Sequence, residues 1–108
     1  RLLADGAVDV LQSDVTRCGG LTELLRIDGL CRAHGVPFSA HCAPAISAHA
    51  CCAMESLKHL EYFHDHVRIE SMLFEGALEP AGGCLTPDER RPGLGLDLRP
   101  EASRFRKE

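Results

Sequence analysis

Asp14, His41 and Glu61 are the residues whose types and spacing allow acid–base chemistry in this chain. A carboxylate beside an imidazole fixes its tautomer and raises its basicity, and a second carboxylate can meet the same bound molecule. Each of the three closes a short apolar run that reads as a strand. Val8-Asp9-Val10-Leu11-Gln12 precedes Asp14, Val36-Pro37-Phe38-Ser39 precedes His41, and His59-Leu60 precedes Glu61. A helix-like segment separates each pair. Consecutive βα units run their strands parallel, with the C-terminal ends on one face. The spacing therefore predicts that Asp14 accepts a hydrogen bond from His41, that His41 acts as general base or acid, and that Glu61 reaches the same substrate. A protonated Glu61 would donate a hydrogen bond to an oxygen that gains charge.

The elements that must position these residues follow from local pattern. Ala7 to Gln12 is rich in Val and Leu, as expected for a strand buried on both faces of a parallel sheet. Gly19-Gly20 breaks the chain. Leu21, Leu24, Leu25, Ile27, Leu30 and Cys31 then recur at helical spacing, with Glu23, Arg26 and Arg32 outside. His34-Gly35 followed by Pro37 is a helix stop. Pro37 to Ser39 is the second strand, and Ala45 to Ala53 a small-residue helix that lets a neighbouring element approach closely. Leu57 to Tyr62 is the third strand. The opening Arg1-Leu2-Leu3-Ala4-Asp5-Gly6 reads as a last helical turn closed by glycine, so we expect the C-terminal piece of something longer.

Composition narrows the function. The chain has 108 residues and a net charge of -4, with 12 basic against 16 acidic side chains and a single Tyr. No basic stripe is present, which argues against nucleic-acid binding. The weakly polar stretch from Ala43 to Met54 is far shorter than the ~20 residues of a membrane helix. Of the six cysteines (Cys18, Cys31, Cys42, Cys51, Cys52, Cys84), Cys31 falls on the apolar face of a helix and Cys51-Cys52 in an Ala-rich helix, where free cysteine behaves as a small apolar residue. They are expected free, in a reducing, cytoplasmic setting. His49, His59, His64 and His66 with Asp65 make a weak case for zinc, because no Cys-x-x-Cys pair completes a closed set. The reading places His64 and His66 on one face of a strand. Gly93-x-Gly95 lacks both a third glycine, since Leu98 stands there, and a strand-to-helix switch, so it is not a nucleotide loop. Arg17 is a weak candidate for an anionic substrate, with solvent or a carboxylate as the alternative partner. Arg90-Arg91 reads as a solvated pair. After Gly76, glycines and prolines punctuate an extended tail that must lie on another surface.

These residues resemble a known family. Gln12-Ser13-Asp14-Val15-Thr16-Arg17-Cys18-Gly19-Gly20-Leu21-Thr22-Glu23 is similar to the sixth-strand motif of the enolase superfamily, mandelate racemase branch. His34-Gly35-Val36-Pro37-Phe38-Ser39-Ala40-His41 is similar to its seventh strand and His59-Leu60-Glu61-Tyr62 to its eighth. The separations agree: 27 positions from Asp14 to His41, then 20 to Glu61. The turn Arg91-Pro92-Gly93-Leu94-Gly95-Leu96 resembles the segment of this branch that returns to the capping domain. Ser13 departs from the pattern, since relatives commonly have Pro there; this relaxes the backbone beside Asp14 and leaves its role intact.

The resemblance implies an α/β fold: the C-terminal part of a TIM-like barrel, about three parallel strands with helices, plus an extended tail. Residues 1–75 would be the partial barrel and 76–108 the tail returning to a capping domain absent here. A complete eight-fold (β/α) barrel needs about 250 residues. It also implies a His41–Asp14 dyad that abstracts or delivers a proton beside a carboxylate, with Glu61 on the substrate carboxylate as it becomes an enediolate. Mg2+ would carry most of the charge, held by carboxylates of strands three to five, with a second base from strand two. The activity would be that of an acid-sugar dehydratase or a racemase, in a homo-oligomer. The alternative is a non-catalytic truncated remnant. Three parallel strands leave open edges, so the chain by itself is expected to associate or stay partly disordered. Sedimentation at several concentrations checks this, and a sharp two-state melt of a monomer would count against it.

Overall fold

The structure, a computed structural model, describes residues 1–106. Three parallel strands form its sheet, in the order β1 (Leu11–Asp14), β2 (Phe38–His41), β3 (Leu57–Leu60). Helix α1 (Leu21–His34) links the first two and α2 (Pro44–Cys51) the second two. Helix α3 (His64–Leu73) follows β3. The tail closes β4 (Phe74–Glu75) against β5 (Asp97–Leu98) and ends in a 3₁₀ helix over Pro100–Phe105. The tail is thus not wholly extended: β5 returns antiparallel to the residues just after α3. Residues 107–108 of the expected tail lie outside the described residues.

Both glycine stops form as read, and their geometry shows why glycine is needed. Gly35 sits at φ 64°, and the Gly35 and Val36 N–H groups donate to Arg32 and Cys31 carbonyls. Gly6 repeats the arrangement at φ 61°, with Gly6 and Ala7 donating to Leu3 and Leu2. These are Schellman closures, which satisfy last-turn carbonyls only when one residue turns left-handed.

The first two strands begin later than the apolar runs suggested, and the third begins at Leu57 as read but ends at Leu60, before Tyr62. Val8 and Val10 lie before β1, and β2 starts at Phe38, one residue past Pro37, whose ring nitrogen has no ladder hydrogen to donate. Asp14 and His41 are therefore the last residues of their strands, with Glu61 one residue past β3. Burial differs too. Only β2, the central strand, is buried along most of its length; Leu11 is half-buried and Gln12 exposed on the edge strand β1. On α1 the buried stripe is Leu24, Asp28 and Cys31, while Leu21, Leu25 and Leu30 are exposed on a side that no described residue covers.

The core gathers Leu24, Cys31, Phe38, Ala40, Ala50, Cys51 and Met54 between sheet and helices. Small side chains make α2 the tightest element: Ala45 and Ser47 are completely buried, as close approach to the sheet requires. All six cysteines are free. No described helix is long and apolar enough to cross a membrane.

One buried carboxylate ties α1 to the sheet. Asp28 accepts from the Ser56 N–H at 3.0 Å, the Glu55 N–H at 3.4 Å and the Ser56 hydroxyl at 2.5 Å, which organises the turn entering β3. Burial pushes the Asp28 carboxyl up, but these donors outweigh it and hold it below the usual carboxylate range. A depressed folded pKa means the stabilisation is complete above the unfolded value and is lost as pH falls through the folded one. Losing charge-assisted bonds to these part-buried donors costs ~1.5–3 kcal/mol. Asp28→Ala is therefore expected to lower stability by about 2–3 kcal/mol in urea titrations at neutral pH. The gap to the parent chain should narrow in acid; a gap independent of pH would rule out the charged anchor.

Candidate functional site

Register builds the site. β1 and β2 pair Gln12 with Ser39 and Asp14 with His41. β2 and β3 pair Ser39 with His59 and Ala40 with Leu60, and the Glu61 N–H extends the ladder to the Ala40 carbonyl at 2.9 Å. Alternation along a strand then puts two layers on one face of the sheet. The outer layer is Asp14, His41 and Glu61. The layer beneath it is Gln12, Ser39 and His59, linked by hydrogen bonds from Gln12 Nε2 to Ser39 Oγ (3.3 Å) and between Ser39 Oγ and His59 Nε2 (3.0 Å). Stacked layers from alternate positions are how parallel barrels fill their interior. This lower layer escaped the sequence reading, although its members stand two residues before the three chosen ones.

The expected Asp14–His41 hydrogen bond is not formed. Thr16, two residues on, captures Asp14 Oδ1 with both its N–H and its hydroxyl at 2.7 Å. Such local side-chain closures are favoured because almost no chain entropy opposes them. Arg17 Nε lies 3.3 Å from Asp14 Oδ2, with the Arg side chain 74% exposed. Arg17 is thus carboxylate-paired and solvated. His41 Nδ1 lies 2.6 Å from Glu61 Oε2, and Nε2 lies 3.1 Å from Cys42 Sγ. The short His41–Glu61 approach is not aligned as a hydrogen bond, and both Asp14 Oδ2 and His41 Nδ1 are buried without a hydrogen-bond partner. Two complementary atoms without a hydrogen bond, each with only an ion-pair neighbour, thus stand on register-paired residues.

Electrostatics favour an ionised Asp14. Burial raises its pKa, but the Thr16 hydroxyl and N–H and the charges of Arg17 and His41 hold the carboxyl below its ordinary value. Cys42 is the opposite case. Burial first, then Glu61 and Asp14, push its thiol up to about 11, so it is protonated at neutral pH.

The loop after His41 is strained. Cys42 (φ 53°) and Ala43 (φ 43°) are consecutive left-handed residues without glycine. Each costs about 1–2 kcal/mol, and such strain persists only where the surroundings enforce it. Helix α3 supplies much of that enforcement. His66 Nδ1 accepts from the Ala43 N–H at 3.1 Å, the Glu70 carboxylate faces the Ala45 N–H, and on α2 the Ser47 hydroxyl donates to the Cys42 carbonyl at 3.0 Å. Phe63 stands edge-on to His66, with ring centroids 5.4 Å apart. Burial pushes the Glu70 carboxyl above its usual range, partly offset by the Ala45 bond and His66.

The histidine pair read on a strand belongs instead to α3. An i,i+2 spacing points to one face of a strand but to different sides of a helix. His64 is exposed beside Asp65, while His66 turns inward to Ala43. Arg90 and Arg91 are likewise not simply solvated: they pair with Asp88 and Asp97.

Replacing Ala43 with glycine removes the penalty for a left-handed side chain and adds ~0.5–1 kcal/mol of unfolded-state entropy. Ala43→Gly should therefore raise the urea midpoint, by up to about 1 kcal/mol of stability, whereas Ala43→Val should lower it. The reverse order would mean that this turn is relaxed.

Residues 1–102 match the family model described as enolase C-terminal domain-like. The chain is 35% identical over 106 residues to the L-rhamnonate dehydratase of Saccharopolyspora erythraea, covering 93% of this chain and 27% of that enzyme. A mandelate racemase/muconate lactonizing enzyme-like protein from Rubrobacter xylanophilus is 67% identical, with TM-score 0.89 over 93% of this chain and 28% of its own. The L-talarate dehydratase of Polaromonas, solved with Mg and L-glucarate, is 29% identical, with TM-score 0.84 over 99% of this chain and 28% of its own. The chain thus spans little more than a quarter of each of these proteins.

Proposed function

The chain belongs to the enolase C-terminal domain-like family, and from that premise we propose that it is part of an enzyme that removes the proton beside a substrate carboxylate. The relatives named above include acid-sugar dehydratases, so a small carboxylate of the acid-sugar class is the favoured substrate. In this reading residues 1–75 form the last units of a TIM-like barrel and 76–108 return to a capping domain. The whole protein is a cytoplasmic homo-oligomer.

The observation that supports it is the register pair Asp14–His41, each with one buried atom lacking a hydrogen-bond partner. A hydrogen bond from His41 Nδ1 to Asp14 Oδ2 would satisfy both. An ionised Asp14 suits the task, since it stabilises the imidazolium that forms when His41 takes the substrate proton. His41 then returns that proton to carbon, as a racemase does, or delivers it to a departing β-hydroxyl, as a dehydratase does. Glu61, the next residue in the same layer, hydrogen-bonds the substrate carboxylate as it gains charge. Arg17 lies at the edge of this face and can screen an incoming anion.

Magnesium is bound in the Polaromonas structure. The residues of this chain do not suit it: the one cluster among the described residues with metal-ligand geometry is His41, Cys42 and Glu61, a nitrogen, a sulfur and one carboxylate. Mg2+ demands near-octahedral oxygen coordination. We therefore assign its ligands to other strands of the whole enzyme and expect the chain alone to be inert.

Grafting residues 1–106 into the Rubrobacter xylanophilus protein in place of its matching segment tests the reading. With Mg2+ and a panel of acid sugars, the chimera should turn over at least one of them or exchange its α-proton in deuterium oxide. His41→Asn should reduce that rate about 10²–10⁴-fold, and the isolated chain should show none. Exchange that survives His41→Asn would falsify the assignment of the base.

A further inference from the structure

We propose that His41, Cys42 and Glu61 form a binding site for one zinc-class cation, separate from the magnesium of the whole enzyme. Their ligand atoms all lie within 4.8 Å of one another. Cys42 Sγ is 3.1 Å from His41 Nε2 and 3.5 Å from Glu61 Oε2. Tetrahedral zinc, with Zn–N and Zn–O of about 2.1 Å and Zn–S of about 2.3 Å, separates its ligands by roughly 3.3–3.7 Å. Two edges of the cluster are thus within about half an ångström of a three-ligand site, and the third closes when the part-exposed Glu61 carboxylate, which lies 2.6 Å from Nδ1, swings toward Nε2. The donors select the metal: a thiolate and an imidazole prefer zinc, cobalt or cadmium over magnesium and calcium. His41 and Glu61 are part-exposed, with side chains 29% and 36% accessible, which leaves the fourth position to water.

The backbone prepares this geometry. A residue following a strand in the extended conformation would send its side chain to the opposite face. At φ 53° Cys42 instead turns its sulfur back toward its neighbour His41. The Ser47 hydroxyl on the Cys42 carbonyl and His66 on the Ala43 N–H secure that turn. A metal on Nε2 leaves the proton on Nδ1; once Glu61, now 2.6 Å from Nδ1, turns to the metal, Asp14 Oδ2 on the register-paired strand, which has no hydrogen-bond donor and only the exposed Arg17 beside it, is a suitable acceptor. Carboxylates commonly orient metal-bound imidazoles in this way. Binding breaks the Cys42 S–H bond and forms a sulfur–metal bond, and the proton leaves to solvent. An ion held here occupies the nitrogen of His41 that faces Cys42, so it would inhibit proton transfer.

Cobalt(II), which reports thiolate ligation by its colour, is the probe. Titration of the 108-residue chain, under conditions where its circular dichroism shows the helices formed, should give one equivalent of tetrahedral cobalt with a sulfur-to-metal charge-transfer band, bleached by added zinc. The band should vanish in Cys42→Ser and persist in Cys52→Ser and Cys84→Ser, which alter the two exposed thiols. Glu61→Gln keeps the sulfur at a partly exposed position, and should weaken affinity about tenfold or more with an unchanged circular dichroism spectrum. It therefore tests the site even if Cys42→Ser perturbs folding. Absence of the band in the parent chain, its survival in Cys42→Ser, or an unchanged affinity in Glu61→Gln each overturns the proposal. None of these outcomes bears on the proton-transfer reading, which the chimera tests in the absence of zinc.

Discussion

The structure depends on parallel register across three strands. Asp14 lies opposite His41, and Ala40 opposite Leu60, so Glu61 completes the row. A slip of one residue beside the row in either pairing would turn one member to the helix-covered face, because side chains alternate there; the one irregularity, between Phe38 and Ser39 against β3, lies before the row. What prevents the slip is the apolar set on that other face. Phe38 and Ala40 are completely buried beneath the helices, and moving them out would expose both. The polar row is therefore held by hydrophobic burial on the reverse of the same strand. The second polar row, Gln12, Ser39 and His59, follows from the same register.

The second constraint is the turn that follows His41. Two left-handed residues in succession store strain at the point where the chain leaves the sheet for α2. A helix from later in sequence secures it: His66 and Glu70, one helical turn apart, reach the first N–H groups of the α2 entry. This couples the orientation of His41 and Cys42 to the docking of α3. The buried carboxylate of Asp28 performs a similar task at the other end of the sheet, fixing the turn into β3.

The exposed apolar residues of α1 and the half-exposed edge strand β1 have a common origin. In a parallel barrel each strand is covered on both sides by neighbours and each helix packs against adjacent helices. Here one neighbour is present for β1 and none is described beyond it. The Val and Leu residues before Asp14 carry the composition of a strand buried on both faces, and they meet only half of the surroundings that composition suits.

Much of this was legible in sequence where the cause is local. Gly6 and Gly35 announced their closures because a left-handed cap needs glycine within one turn of chain. The order of β1, α1, β2, α2 and β3, and the three polar strand ends, follow from periodicity and spacing. What sequence could not supply is set by contacts between distant residues. His64 and His66 were read on a strand, but α3 forms because the chain must leave the sheet at Phe63 and pack against α2. Asp14 was assigned to His41, but Thr16 competes at almost no entropic cost. Cys42 was read simply as a free cysteine; only its left-handed backbone brings the sulfur to His41 and Glu61. The residue types and their intervals determined what chemistry the chain carries. The tertiary structure decided which atoms meet, because that rests on packing free energies summed over many distant side chains.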